Sequence, residues 1–149
     1  EVPSRGLGDV YKRQIKINNA CVKIVCMINI VLSTMLMYLI HLALPKILTF
    51  KNHRDFSPIK ERLEKDPNIP DYIERMNFAT VNLQESLPIF FACAVLSIVT
   101  EVDSTSYGLA WIIFRILYYL CYIYKLNSYR AFAWLGSATC LILMALNLI

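Results

Sequence analysis

Four long apolar stretches with almost no formal charge constrain this sequence more than any other feature. Residues 24–44, 86–100 and 131–149 contain no Asp, Glu, Lys or Arg, and residues 107–124 contain only Arg115. A helix needs about 20 mainly apolar residues to cross about 30 Å of hydrocarbon. A soluble bundle would need a polar face on every helix, and the last stretch has none. The sequence therefore predicts an all-α membrane protein.

The stretches predict a single four-transmembrane-helix bundle. We expect helices at roughly residues 24–50, 72–100, 106–125 and 130–148, within one membrane domain of residues 15–149. Hydrophobic residues make up 57% of the chain and charged residues 17%, whereas soluble domains average about 45–50% and about 25%. Four glycines and two histidines, with a net charge of +4, predict no phosphate-binding loop, no metal site and no nucleic-acid partner.

The first 14 residues have no periodicity in common with the rest of the chain. Residues 4–14, which read SRGLGDVYKRQ, resemble translated sequencing-adapter read-through. We interpret residues 1–14 as an artefactual or disordered leader and exclude them from the fold prediction. Met27 is an alternative start, because residues 27–50 remain long enough to span a membrane.

Lys and Arg are unevenly distributed among the predicted loops. Seven lie within residues 46–75 and two within residues 125–130, whereas residues 101–105 carry none. The positive-inside rule then places the loops between helices 1 and 2 and between helices 3 and 4 in the cytoplasm, with both termini on the opposite side. Within the first loop, residues 59–63 have the composition of a short helical turn.

Two of the apolar helices each carry a row of side chains that includes polar and ionisable residues. Their members recur every three or four residues, which places each row on one helix face. The rows are Arg75, Phe78, Asn82 and Glu85 in the second helix, and Arg115, Tyr118 and Tyr122 in the third. Ionisable groups inside a membrane bundle are costly and are candidates for function. We expect the rows to face each other with Glu85 and Arg115 as a buried pair, which could equally serve only to fix helix register.

Both rows resemble motifs of the MAPEG family, the membrane-associated proteins in eicosanoid and glutathione metabolism. Residues 75–90 resemble the family pattern R-x-x-x-A-x-x-N-x-x-E-x-x-P-x-F. Residues 115–122, followed by Arg130, resemble the second motif. The resemblance covers roughly residues 24–149 and is closest to prokaryotic-type members.

The resemblance implies a left-handed bundle that assembles as a homotrimer and binds glutathione between subunits near the cytoplasmic face. It implies a glutathione-dependent transferase or peroxidase that acts on lipophilic electrophiles or lipid hydroperoxides in the bilayer. Arg130 would be catalytic and would stabilise the thiolate of glutathione, since a guanidinium favours the charged form. The residues implied to bind glutathione, the co-substrate, are Arg75, Asn82, Glu85, Tyr118 and Tyr122. No metal is implied.

The chain departs from the family pattern at two positions. Phe78 stands where eukaryotic members with glutathione activity carry an arginine, and Val81 stands where some members carry a further one; these arginines bind the carboxylates of glutathione. Losing those arginines weakens an anion site. Two alternatives therefore stay open: a non-catalytic MAPEG-fold protein that binds another thiol or lipid ligand, and a structural helix bundle.

Overall fold

The computed structural model describes residues 5–52 and 70–149 as four helices. They are α1 (Arg5–Asn52), α2 (Asp71–Val99), α3 (Thr105–Ile123) and α4 (Asn127–Leu146). All four are long and apolar enough to cross a membrane, α1 within Lys12–Phe50. The prediction of a four-helix membrane bundle is confirmed.

The helix bounds differ from the prediction mainly in α1. This helix begins at Arg5 rather than near residue 24, because no proline interrupts the segment between them. Exposed polar residues are compatible with a helix, so the start of an apolar stretch does not mark the start of α1. That the first 14 residues are a leader stays a prediction, and the turn predicted at residues 59–63 lies outside the described residues.

Contacts at both ends show that the helices run alternately in opposite directions. At one end, the Nζ of Lys23 in α1 lies 3.8 Å from Oδ2 of Asp103 in the α2–α3 loop. Asn147, which follows α4, donates a hydrogen bond to the backbone oxygen of Asp103 at 3.1 Å. At the other end, Lys125 in the α3–α4 turn lies 3.6 Å from Asp71 at the start of α2. We refer to this second end as the turn end.

Two apolar clusters form the core and leave a polar layer between them. The larger cluster lies towards the α2–α3 loop and contains Phe90 and Trp111, whose rings stack with centroids 4.2 Å apart. The smaller cluster, towards the turn end, consists of Met76, Ala79, Tyr118, Tyr119 and Ala133. Arg115 lies on α3 between Trp111 and Tyr118. The candidate site is therefore built where the two clusters meet.

Candidate functional site

The centre of the site is Arg115, which is only 4% exposed. Its Nη1 donates a hydrogen bond to Oδ1 of Asn82 at 2.6 Å, across the α2–α3 contact. Its Cζ lies 5.5 Å from the ring centroid of Trp111 and 6.0 Å from that of Tyr118. A charge-assisted hydrogen bond and two aromatic faces thus offset part of the cost of burying the guanidinium. The polar rows of α2 and α3 meet at Asn82 and Arg115.

The expected buried pair of Glu85 and Arg115 is not formed among the described residues. No ion pair within 4 Å joins the two, and the Glu85 carboxylate acts on Arg115 only at longer range. The reason is the position of the row on α2, which follows the edge of the buried face rather than its centre. Asn82 is half-buried and reaches inward, whereas Glu85 and Phe78 are exposed. A charge-to-amide hydrogen bond takes the place of the expected ion pair.

The start of α4 brings a second cation to the same region. Arg130 is half-buried, and its Cζ lies 4.8 Å from the ring centroid of Tyr122. The rings of Tyr118 and Tyr122 are 5.6 Å apart and tilted by 53°. Tyr118 lies within electrostatic reach of three of the candidate charges, those of Glu85, Arg115 and Arg130. We call the following residues the polar cluster: Asn82, Glu85, Arg115, Tyr118, Tyr122 and Arg130.

Arg75 belongs to a neighbouring charge network at the turn end. Its Nη1 lies 3.9 Å from Oδ2 of Asp71, which also pairs with Lys125. Asp71 and Lys125 were not among the site residues predicted from the sequence. The i, i+4 spacing of Asp71 and Arg75 was a usable signal for the first contact. The contact with Lys125 crosses between helices and has no signal in the sequence.

Two arginines near the site each have a buried N–H donor that makes no hydrogen bond. Within the described residues, the Nε atoms of Arg75 and Arg115 are buried and have no hydrogen-bond partner. A buried donor left without a partner costs about 1–3 kcal/mol. An acceptor supplied by a ligand would remove that cost at either position.

His41 of α1 packs against α2 and α3 next to the site. Its Nδ1 lies 2.7 Å from the backbone oxygen of Met37, and its ring lies 3.9 Å from that of Tyr119. The hydroxyl of Thr80 donates to the backbone oxygen of His41 at 3.2 Å. His41 is therefore held by α1, α2 and α3 and packs behind α3 as a structural residue.

Comparison with known proteins gives one family. The model of the MAPEG family matches residues 25–149, which include the whole polar cluster and nearly all of the bundle. No curated protein and no solved structure matches the chain. The family includes glutathione transferases and peroxidases. The matched range and the four membrane-spanning helices show that this chain is an integral, multi-pass membrane protein of the MAPEG family.

Proposed function

We propose that the polar cluster binds glutathione and that the protein is a membrane-bound glutathione-dependent transferase or peroxidase. Its second substrates would be lipophilic electrophiles or lipid hydroperoxides. The observation that carries the proposal is that the guanidinium groups of Arg115 and Arg130 lie beside the neighbouring rings of Tyr118 and Tyr122 in an otherwise apolar bundle. MAPEG family members use glutathione, which supports the identity of the co-substrate.

The contacts of Asn82 suggest how the peptide is held. Its Oδ1 accepts from Arg115, so its amide NH₂ remains available to donate to a carbonyl or carboxylate of the ligand. Glu85 lies one turn further along α2 with an exposed carboxylate, which suits the ammonium group of glutathione. Arg75, with its unused Nε, would contribute positive charge for a carboxylate.

Arg130 would act on the sulfur, with Tyr122 holding its guanidinium in place. A thiol with a pKa of about 8.5 is mostly protonated at neutral pH, and a nearby guanidinium shifts the balance towards the thiolate. In the transferase reaction, the thiolate attacks an electrophilic carbon, and the leaving group departs with its electron pair. In the peroxidase reaction, the thiolate attacks the terminal peroxide oxygen. The alcohol leaves with the thiol proton, and a second glutathione converts the sulfenic acid to disulfide and water.

A homotrimer with the site between subunits completes the proposal. Phe78 and Val81 are 54% and 51% exposed on the single chain. They lie on α2 beside Asn82 and the exposed Glu85. A carboxylate that faces lipid is costly, which favours covering this strip with a second copy of the chain. The Lys and Arg distribution favours the cytoplasm for the turn end. Cross-linking in mild detergent should give trimers, and monomers alone would contradict both the assembly and an intersubunit site.

Calorimetry of glutathione binding to the detergent-solubilised protein tests the proposal. We expect saturable binding that weakens about 10- to 150-fold in Glu85→Gln, because a charge-assisted contact contributes about 1.5–3 kcal/mol. Glu101→Gln is the matched control, since Glu101 is also exposed but lies in the α2–α3 loop, outside the polar cluster. No binding by the wild type, or equal binding by the two variants, would contradict the proposal.

The non-catalytic alternative is favoured by one feature, the apolar Phe78 and Val81 in place of arginines. A protein of that kind would bind glutathione or another thiol without turnover. Activity with 1-chloro-2,4-dinitrobenzene as a general electrophile, and with a lipid hydroperoxide, separates the alternatives. Binding without either activity would support the non-catalytic one.

A further inference from the structure

Two side chains in the interior of the bundle have N–H groups without an acceptor. Trp111 and Arg115 lie four residues apart on α3, which places them on one face of the helix, and they are 0% and 4% exposed. Within the described part of the chain, neither the indole Nε1 of Trp111 nor the Nε of Arg115 has a hydrogen-bond partner. Buried polar groups in native proteins are nearly always paired, so this face of α3 indicates an acceptor that the described residues do not supply.

The surrounding contacts hold both side chains in place. The Cζ of Arg115 lies 5.5 Å from the centroid of the Trp111 ring. The hydrogen bond from Nη1 to Asn82 fixes the guanidinium, and stacking on Phe90, with centroids 4.2 Å apart, fixes the indole. Since Nη1 already has an acceptor, the Nε edge of the guanidinium is the one available to a ligand. One acceptor seated between the two side chains can take both N–H groups.

The charge of Arg115 determines which kind of acceptor fits. Among the described residues no carboxylate forms an ion pair with Arg115, and its hydrogen-bond partner Asn82 is neutral. Glu85 is exposed and acts on it only at longer range. A buried guanidinium without a counter-charge is costly in a membrane bundle. A water molecule would satisfy the N–H groups but leave the charge unbalanced, whereas an anion would do both.

We propose that Trp111 and Arg115 bind one small monovalent anion in the interior of the bundle. The burial of both side chains and the apolar neighbours of Trp111 in the larger cluster restrict the site to a group of a few atoms. The ligand chemistry is a single negative charge that accepts two N–H groups, and its source is either a free halide or the carboxylate of a larger molecule. The inference does not rest on the proposed function, because Trp111 lies outside the polar cluster and no glutathione takes part.

Stability in different salts tests the site on the full-length, detergent-solubilised protein without glutathione. Sodium gluconate, whose anion is too large for the site, would be replaced by sodium chloride, bromide or formate at constant ionic strength. An anion that binds only the folded protein lowers the unfolding equilibrium constant by a factor of roughly ten at ten times its Kd. We expect chloride and bromide to give this saturable effect. The same effect from formate alone would support the site with a carboxylate as its source.

Trp111→Phe separates the indole N–H from the aromatic ring. Phenylalanine keeps a ring that can stack on Phe90 but has no N–H group, so the same stabilisation should need about ten-fold more chloride or be lost. Trp134→Phe is the matched control, because Trp134 lies on α4 and is 46% exposed. The chloride effect should be the same in this control as in the wild type.

Two arginine variants separate this site from the polar cluster. Arg115→Lys keeps the charge but not the planar set of donors, and it should weaken the chloride effect. Arg130→Gln removes the other guanidinium of the polar cluster and should leave the chloride effect unchanged. A loss in Arg130→Gln as large as that in Trp111→Phe would place the anion in the polar cluster and overturn the assignment.

Bromide locates the anion directly. Anomalous diffraction from crystals grown in sodium bromide should show a peak between Nε1 of Trp111 and Nε of Arg115, and peaks only elsewhere would overturn the proposal. Equal stability of the wild type in all four salts would also overturn it, since that is the behaviour of water alone. So would equal chloride effects in Trp111→Phe and Trp134→Phe. None of these results bears on the glutathione calorimetry, which tests the polar cluster separately.

Discussion

Arg115 carries the largest electrostatic cost among the described residues of the polar cluster. A guanidinium buried in a membrane bundle loses its hydration, and its Nε has no partner among the described residues. The hydrogen bond to Asn82 and the faces of Trp111 and Tyr118 offset part of this cost. The contact between α2 and α3 should therefore depend on Arg115 and Asn82 together.

A double-mutant cycle tests this dependence. Arg115→Ala and Asn82→Ala should each lower the free energy of unfolding, by about 1.5–3 kcal/mol, because each removes a hydrogen bond to a charged group. The double variant should lose less than the sum of the two, with a coupling energy of about 1 kcal/mol or more. Asn77→Ala, at an exposed position of α2, is the control and should change little. Strictly additive losses, measured by denaturant unfolding in detergent, would contradict a direct contact.

Asp103 should give the protein a pH-dependent stability from outside the membrane-spanning segments. Hydrogen bonds from the side chain and the backbone N–H of Thr105, and the charge of Lys23, hold the pKa of Asp103 below its usual value of 3.8. A carboxyl group with a lowered pKa stabilises the fold above its unfolded-state pKa. That contribution is lost as the pH falls through the folded-state pKa. Wild type and Asp103→Asn should therefore differ in free energy of unfolding near neutral pH and converge once the pH falls below the folded-state pKa of Asp103. Parallel pH profiles would contradict this role.

At the level of helices, the sequence predicts three of the four elements closely. The bounds of α2, α3 and α4 lie within three residues of the prediction at each end, because loops with charged or turn residues mark them. The start of α1 could not be predicted from apolarity, since a helix continues through exposed polar residues. Periodicity placed Asn82 and Glu85 on one row of α2. Periodicity does not distinguish the edge of a buried helix face from its centre. For this reason it predicted Glu85, rather than Asn82, as the direct partner of Arg115.

The contact between α3 and α4 could not be predicted from the sequence either. Nothing in the chain before folding shows that Phe114 and Gly136 meet. Gly136→Ala should destabilise the bundle by about 1–3 kcal/mol, because the new Cβ would lie 2.6 Å from the ring and force it to move. Gly108→Ala is the control, since its nearest contact would be 3.2 Å from a flexible Ile30 methyl group. Equal thermal stability of the two variants would contradict the close packing.

At the level of the whole molecule, the bundle is held by two apolar clusters, with Arg115 between them and Arg130 towards the turn end. The family assignment follows from nearly the entire chain, residues 25–149. The part of α1 that precedes this range contributes little to the core, because the described side chains of residues 12–18 and 21–23 are all exposed. The Lys23–Asp103 contact is an exposed ion pair and adds only about 0–1 kcal/mol.

A chain that starts at Met27 should therefore keep its fold and its oligomeric state. Met27 is the first residue of α1 that is buried in the larger cluster, so the truncation removes no described core residue. Circular dichroism and cross-linking of the purified protein in detergent would compare it with the full chain. Failure of the truncated chain to insert into membranes would show that the preceding residues belong to the domain.

The central claim is that Arg130 stabilises the thiolate of glutathione in the polar cluster. The ultraviolet absorbance of the thiolate, titrated against pH for glutathione bound to the wild type and to Arg130→Ala, measures this directly. We expect a thiol pKa well below the free value of about 8.5 in the wild type and a return towards that value in Arg130→Ala. The turnover rate of Arg130→Ala should be about 10- to 150-fold lower than that of the wild type, because the lost contact contributes about 1.5–3 kcal/mol. Arg130→Lys should keep part of the effect, since the charge remains but the planar guanidinium is lost. Equal thiol pKa values in wild type and Arg130→Ala would contradict the account and remove Arg130 from the mechanism.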